Sequence, residues 1–541
     1  MKQHGIFRRL AGLALAASMV FGLAACGNGS TSASGTSATS GSAGSSAQTV
    51  QTDAAIAVGS TAQQFLGHFD ASQYFSTECS TAATYLLYDQ LFSIGSDGQW
   101  YSDILSDYYW SEEVENQLVL ELKDGIYFSN GDQMTMEDVL YSMQRFAQSS
   151  RGGTNFTVVD FEASSVSEDG MTLYLQYNQP YGPWQSGLNI FVMNKDFVEA
   201  LGENADWFSK DSVCGSGPYA VKESITDVSI TFEKRDDWWM ADEAGDSASV
   251  QEITCYRYTD NTTMMADYIN GVIDVAINLT ANDCEEISAD PSMGTYVPVS
   301  SNASAVIVLS PQNQDLQNEK LREAICIGTD AAAIADLTWG ILATPSTSTL
   351  NESNPYYVDG HAYEYDPETA KQLVAECGID NPTLTFVTNT ATTSTTIAES
   401  FQYYMQEIGV NVEIETYDQS TAVADYWSQP NGTDLFINGA AIATATNEAA
   451  DVYTFFRGNF SYQCTAQTDP EIVDLLEAGR STTDDAERAQ IYSDVQDYFY
   501  DHYSMIPVGQ WSTAYAYNSR IGTCDIPITG SPSLRDITVV G

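Results

Sequence analysis

The residues able to do chemistry in this chain begin with a thiol. Cys26 ends the run Leu23-Ala24-Ala25-Cys26, after a short apolar stretch from Leu10 to Leu23 that follows Lys2, Arg8 and Arg9. A positive start, an apolar core too brief to span a bilayer and small residues before a cut describe an export signal over residues 1–25. Eight further cysteines follow: Cys79, Cys214, Cys255, Cys284, Cys326, Cys377, Cys464 and Cys524. An even set in an exported chain permits disulfides of open pairing, and the lack of any Cys-x-x-Cys spacing argues against a redox pair or zinc knuckle. Histidine beyond the leader is limited to His68, His361 and His502, far apart in sequence. No G-x-S-x-G, S-x-x-K or H-E-x-x-H occurs, so the common hydrolase chemistries have no signature here. Carboxylates, 73 Asp+Glu in all, are too many for spacing to single out an acid/base pair.

Leu-Ala-Ala-Cys resembles the bacterial lipobox, which implies lipidation of the Cys26 sulfur and a mature chain that starts there. Residues 27–50 are almost entirely Gly, Ser, Thr and Ala. Such a stretch cannot bury enough apolar surface to offset its ordering entropy, so residues 26–51 read as a lipidated Cys plus a flexible tether reaching about 27 Å. Two acyl chains hold a protein at a membrane where one would be marginal. The net charge is −53, and loss of the leader deepens it. Nucleic acid and anionic lipid are poor partners for such a surface, since phosphate binding needs clustered cations. The charge serves either solubility or attraction of cationic solutes. With 43% hydrophobic residues in 541, the remainder holds a real core and is too long for one, so two or more domains are expected.

Periodicity supplies the elements that must position these groups. Leu118–Leu122 reads as a strand, followed by a turn at Lys123-Asp124-Gly125. Thr135 caps a helix in which Met136, Val139, Leu140, Met143 and Ala147 share one face. Val228–Glu233 and Ile253–Tyr258 read as strands. In the second half, Leu321, Ala324, Ile325 and Gly328 mark a helix; Asp366-Pro367 opens another that Gly378 stops, with Cys326 and Cys377 on the apolar faces. A strand at Thr383–Thr388, a helix through Ile397, Phe401, Tyr404, Met405 and Ile408 closed by Gly409, and a strand at Val410–Glu415 then alternate. That alternation predicts an α/β domain with parallel pairing. A long helix over about Asp484–His502 leads into Met505–Val508.

The landmarks Leu122-Lys123-Asp124-Gly125, Asn130-Gly131 and Glu137-Asp138-Val139 with Ser142 and Arg145 are followed by Gly215-Ser216-Gly217-Pro218-Tyr219 and Arg235–Trp239. Asn270-Gly271-Val272-Ile273-Asp274, Leu321-Arg322-Glu323-Ala324, Tyr365-Asp366-Pro367 and Ile408-Gly409-Val410 complete the series. In this order they resemble the extracellular solute-binding proteins of ABC importers, specifically the peptide/nickel family. The resemblance implies an α/β fold of the periplasmic-binding-protein type II: two lobes with a hinge and a subdomain inserted in lobe one. Lobe one would cover 52–300 and 505–541, the insertion about 91–209, and lobe two 301–504. A receptor of this kind is no enzyme and carries no cofactor or metal. It would be a monomer, lipid-anchored at the extracellular face of a bacterial cytoplasmic membrane, delivering an oligopeptide or dipeptide to ABC permease subunits.

The same resemblance implies ligand contacts from Tyr74 and Glu78 in the segment Tyr74–Cys79 and from Asn155 and Phe156 in the insertion. It also implies contacts from Asn438 and Gly439. Where relatives present an Asp to the ligand's amino terminus, this chain has Ala443-Thr444, and Ala440 replaces a Trp. Asn447, Glu448 or Asp451 would then take the polar role from a shifted position. Trp339, Trp427, Tyr453 and Trp511 are further aromatic candidates. The missing anion and the many aromatics leave an oligosaccharide open as the ligand, and a secreted hydrolase is the distant alternative.

Overall fold

The computed structural model describes residues 50–541 apart from 62–67, 74–83, 96–98, 149–155, 244, 246, 311–312, 419–420, 422–434, 438–448, 450–452, 454–468 and 525–533. Cys26 and nearly all of the expected leader and tether lie outside the described residues.

The helix expected after Thr135 spans Met136–Ala147. The Asp138 carboxylate accepts both the backbone N–H and the hydroxyl of Thr135, at 2.9 and 3.0 Å. That bond satisfies a donor left free at the helix start. The helix packs on a four-stranded antiparallel sheet ordered Leu105–Trp110, Gln117–Leu122, Thr172–Tyr177, Val159–Val166. Leu118, Leu120, Leu173 and Leu175 meet Met136, Val139 and Met143 in a core belonging to this subdomain.

Among the described residues the main sheet has eleven strands, one of them the short Ala343–Pro345 paired off the main path to Met505–Tyr517. Two of them are long, Thr295–Leu309 and Met505–Tyr517, and pair antiparallel along their length from Thr295 opposite Tyr517 to Val308 opposite Met505. On one side the sheet continues through Val275–Ile277, Ala55–Ser60, Glu252–Arg257, Ser229–Lys234 and Tyr219–Ile225. On the other it continues through Leu435–Ile437, Thr383–Asn389 and Asn411–Tyr417. Of the apolar cores on this frame, two are large. Ile56, Val58, Phe232, Ile253 and Tyr515 fill one; Ile307, Leu321, Ile325, Leu384, Phe386, Phe401 and Ile506 fill the other. Both long strands contribute to both cores, so they are the crossings between two lobes.

The second lobe follows its sequence pattern. The strands Thr383–Asn389 and Asn411–Tyr417 pair in parallel around the helix Thr392–Ile408. Gly409 ends that helix at φ +87°, a conformation glycine adopts without steric cost. The first lobe adds parallel pairing that alternation did not reveal: Ala55–Ser60 lies parallel to both Glu252–Arg257 and Val275–Ile277. Its strands are too far apart in the chain for a local pattern to report their pairing. Cys326 and Cys377 are buried free thiols, as are Cys214 and Cys284; Cys255 is also buried. Cys79 and Cys464 lie outside the described residues.

Candidate functional site

Strand direction locates the candidate site. In the first lobe Ser60, Arg257 and Ile277 end three parallel strands in register. The last of these runs antiparallel to Met505–Tyr517, with Val275 opposite Tyr517 and Ile277 opposite Tyr515. Its carboxyl end therefore faces the middle of the crossing. In the second lobe Leu435–Ile437 is parallel to Thr383–Asn389 and antiparallel to Thr295–Leu309, with Leu309 opposite Leu435 and Ile307 opposite Ile437. Its carboxyl end faces the same middle from the other side. There the crossing pair slips register, between Ser300 opposite Ser512 and Ser304 opposite Gln510. A bulge of this kind bends a strand. In open α/β sheets ligands bind beyond the carboxyl ends of parallel strands, at the point where connections diverge. Thr383–Asn389 is such a point: the chain leaves it through one helix toward Asn411–Tyr417, while Leu435–Ile437 flanks its other edge.

Polar side chains line this break. Ser304 and Thr388 are fully buried, and their hydroxyls find no partner among the described residues. A buried hydroxyl left unpaired costs about 1–3 kcal/mol, so a polar neighbour reaching either strand end would be stabilising. Gln510, 5% exposed, accepts the Glu352 backbone N–H and donates to the Leu350 carbonyl, each at 3.4 Å. These bonds tie the Leu350–Glu352 segment to the crossing strand. Trp511, next along, stacks on Trp339 with ring centroids 5.1 Å apart and planes within 8°.

The entry to the expected contact segment is anchored by charge. Asp70 is buried and precedes the turn Ala71–Gln73, after which Tyr74 begins that segment. Its carboxylate accepts from the Ser72 backbone N–H at 3.0 Å, the Ser72 hydroxyl at 2.7 Å and Arg145 Nε at 3.3 Å. The Arg145 guanidinium also lies 5.2 Å over the Trp207 ring, and Trp207 accepts the Phe69 N–H through its carbonyl at 2.8 Å. Burial holds His68 below the usual imidazole range, partly opposed by the Asp70 charge. Nearby, burial raises the Asp89 carboxyl although Trp239 Nε1 donates to it at 2.9 Å. Local pattern did not reveal Asp70. Arg145 was legible as a landmark of the resemblance, but its pairing spans 75 residues.

Of the expected ligand contacts, Phe156 is described. It is 5% exposed and packs in the subdomain core, 5.7 Å from the Phe161 ring and 6.2 Å from Phe146. Tyr74, Glu78, Asn155, Asn438, Gly439, Asn447, Glu448 and Asp451 lie outside the described residues, as does Trp427. Two of their neighbours are placed: Asn438 follows Ile437, the strand end at the break, and Tyr74 follows the Asp70 turn. Tyr453 is buried, its hydroxyl 2.7 Å from that of Thr349. Among the described residues no three His, Cys, Asp or Glu side chains gather as metal ligands would.

The family model of the bacterial extracellular solute-binding proteins, family 5, matches residues 99–463, and the chain belongs to that family. It is a solute-binding receptor of ABC import. The glutathione-binding protein GsiB of Pectobacterium atrosepticum is 22% identical over 454 residues, 82% of this chain and 86% of that one. Among solved structures, the ABC transporter substrate-binding protein CtaP of Listeria monocytogenes superposes with a TM-score of 0.77 at 21% identity. It covers 90% of this chain and 100% of its own. DppA from Helicobacter pylori in complex with the peptide STSA gives 0.72 at 18% identity, over 90% of this chain and 98% of its own. These likenesses carry the fold, the type II periplasmic-binding-protein arrangement.

Proposed function

We propose that this chain is a lipid-anchored receptor that captures an oligopeptide or dipeptide between its lobes and hands it to the permease subunits of an ABC importer. Lobe one is 52–300 with 505–541, carrying the insertion near 91–209, and lobe two is 301–504. The observation that carries capture is the convergence of both sets of parallel strands on one bulged break, beside buried unpaired hydroxyls. A peptide suits that edge because an extended backbone can pair with strand ends, as in strand addition. The glutathione named for one relative and the peptide bound to another fit the same reading. Tyr74, Glu78, Asn155, Asn438 and Gly439 would line the cleft, and Asn447, Glu448 or Asp451 would receive the peptide's amino terminus; Phe156, packed between Phe146 and Phe161, is core and not contact. Cys26, once lipidated, would hold the receptor on the outer face of the cytoplasmic membrane.

A thermal-shift screen with peptides of two to six residues and a parallel glycan panel tests the ligand. A binder at 100 times its Kd adds about 2.7 kcal/mol and raises the melting point accordingly. Stabilisation by peptides is expected; stabilisation by glycans alone would reassign the ligand to oligosaccharide. Replacing Cys26 with Ser should remove the acyl mass from the amino terminus and shed the protein from the cells.

A further inference from the structure

The inserted subdomain also touches the second lobe through residues outside the crossing strands. The contact is a stiff knob in a fitted socket. The knob is Pro180-Tyr181-Gly182-Pro183, in which two prolines restrict the backbone on either side of Gly182. Tyr181 is 2% exposed and stacks on Tyr177 at 5.9 Å, so the knob is part of the subdomain core. The socket is the carboxyl end of the helix Pro470–Ser481. The Arg480 carbonyl, one of the acceptors a helix end leaves free, takes the Gly182 N–H at 2.7 Å. The Arg480 guanidinium covers the Tyr181 ring at 5.4 Å.

Arg488 forms the socket floor. It is 3% exposed, donates through Nε to the Gly479 carbonyl at 3.1 Å and lies over the rings of Tyr356 and Tyr492. The fit admits only glycine. A Cβ at position 182 would stand 2.2 Å from the Thr482 carbonyl oxygen and 2.7 Å from Arg488 Nε. The Gly182 backbone lies outside the left-handed region, so a side chain there meets an obstacle in the other lobe and none in its own backbone.

We propose that the Gly182 knob and the Arg480–Arg488 socket form a latch between the lobes, making Gly182 an affinity-determining residue that need not touch ligand. Both halves of the contact belong to packed elements, and the lobes also join through the crossing strands, whose register slips at Ser300–Ser304, and through Leu342, which packs with Met264 and Cys284 beside them. Rotation about that break parts the knob from the socket. The Gly182 N–H and the Arg480 carbonyl are then hydrated, and both are recovered when the lobes meet. Ligand affinity scales with the fraction of receptor able to reach the ligand-holding arrangement, so a latch that cannot seat weakens every ligand alike. The inference rests on the two-lobed receptor and not on the class of ligand.

The test compares the intact receptor with Gly182→Ala and Gly182→Val. Hydrogen exchange across residues 178–188 and 470–482 is read without ligand, together with small-angle scattering and the melting temperature. Faster exchange in both segments, a larger radius of gyration and a melting point within about 2 °C of the parent are expected. Affinity for the strongest binder of the two-to-six-residue peptide library should fall roughly threefold for Ala and tenfold or more for Val, in line with the lost fraction. If no peptide binds the parent, the ligand reading fails, and exchange and scattering still decide the latch. Unchanged exchange and scattering in Gly182→Val would overturn it. So would a fall of more than about 5 °C in the unliganded melting point of Gly182→Ala, which would make the contact fixed packing within one rigid body.

Discussion

Single residues at this site act mostly by holding backbone in place. Asp70 and Arg145 are the clearest case: one carboxylate organises the Ala71–Gln73 turn and ties it to the subdomain helix just before the expected contact segment. Asp70 is nearly inaccessible, its side chain 3% exposed, whereas that of Arg145 is 28% exposed. Truncating one member of a buried pair strands the other charge and costs about 3–5 kcal/mol, less where one partner reaches water. Arg145→Leu should therefore destabilise the receptor by about 2–3 kcal/mol in urea unfolding. Double replacement with Asp70→Asn should recover part of that loss, because no lone charge then remains. A simple loss of surface charge pairing would cost under about 1 kcal/mol and show no recovery.

Elements in this chain were legible in proportion to how local their causes are. The start of the Thr392–Ile408 helix carried no cap signal, whereas its end at Gly409 and the Met136–Ala147 helix with its Thr135 cap lie where periodicity and stop signals put them. The same holds for Pro367–Glu376, where the Asp366 carboxylate accepts the Thr369 N–H at 3.0 Å. Hydrogen bonding to Thr369 also holds that carboxyl below the usual aspartate range. Asp366→Ala should lower the unfolding midpoint measurably through loss of the cap, with no change in ligand affinity. The parallel pairing of Ala55–Ser60 with Glu252–Arg257 was not legible. Its partners are separated by almost two hundred residues, and strand propensity carries no address for a partner.

Across the whole molecule, function depends on how two independently packed cores share one sheet. Beside the register break, Trp511 of one crossing strand stacks on Trp339 at the end of the helix Ala331–Trp339. Rotation of one lobe against the other must alter the surroundings of this pair. Saturating ligand should therefore change the intrinsic tryptophan emission, and Trp511→Phe should remove most of that change while leaving ligand stabilisation of the melting point in place. An unchanged emission signal in Trp511→Phe would put the moving contact elsewhere. The strong acidity of the chain, −53 overall, favours cationic and zwitterionic solutes near the surface but selects none of them.

The amino-acid order alone determined helices with their end signals, the α/β character of the second half and the collinear landmarks of a receptor family. The helices and their alternation with strands follow from contacts within a few turns or strands of chain. Only the tertiary structure decided where the strand ends converge, that Asp70 pairs with Arg145, and that Gly182 seats against Arg480 and Thr482. Each of those joins residues tens to hundreds of positions apart, and only the packed cores hold them within ångströms of one another.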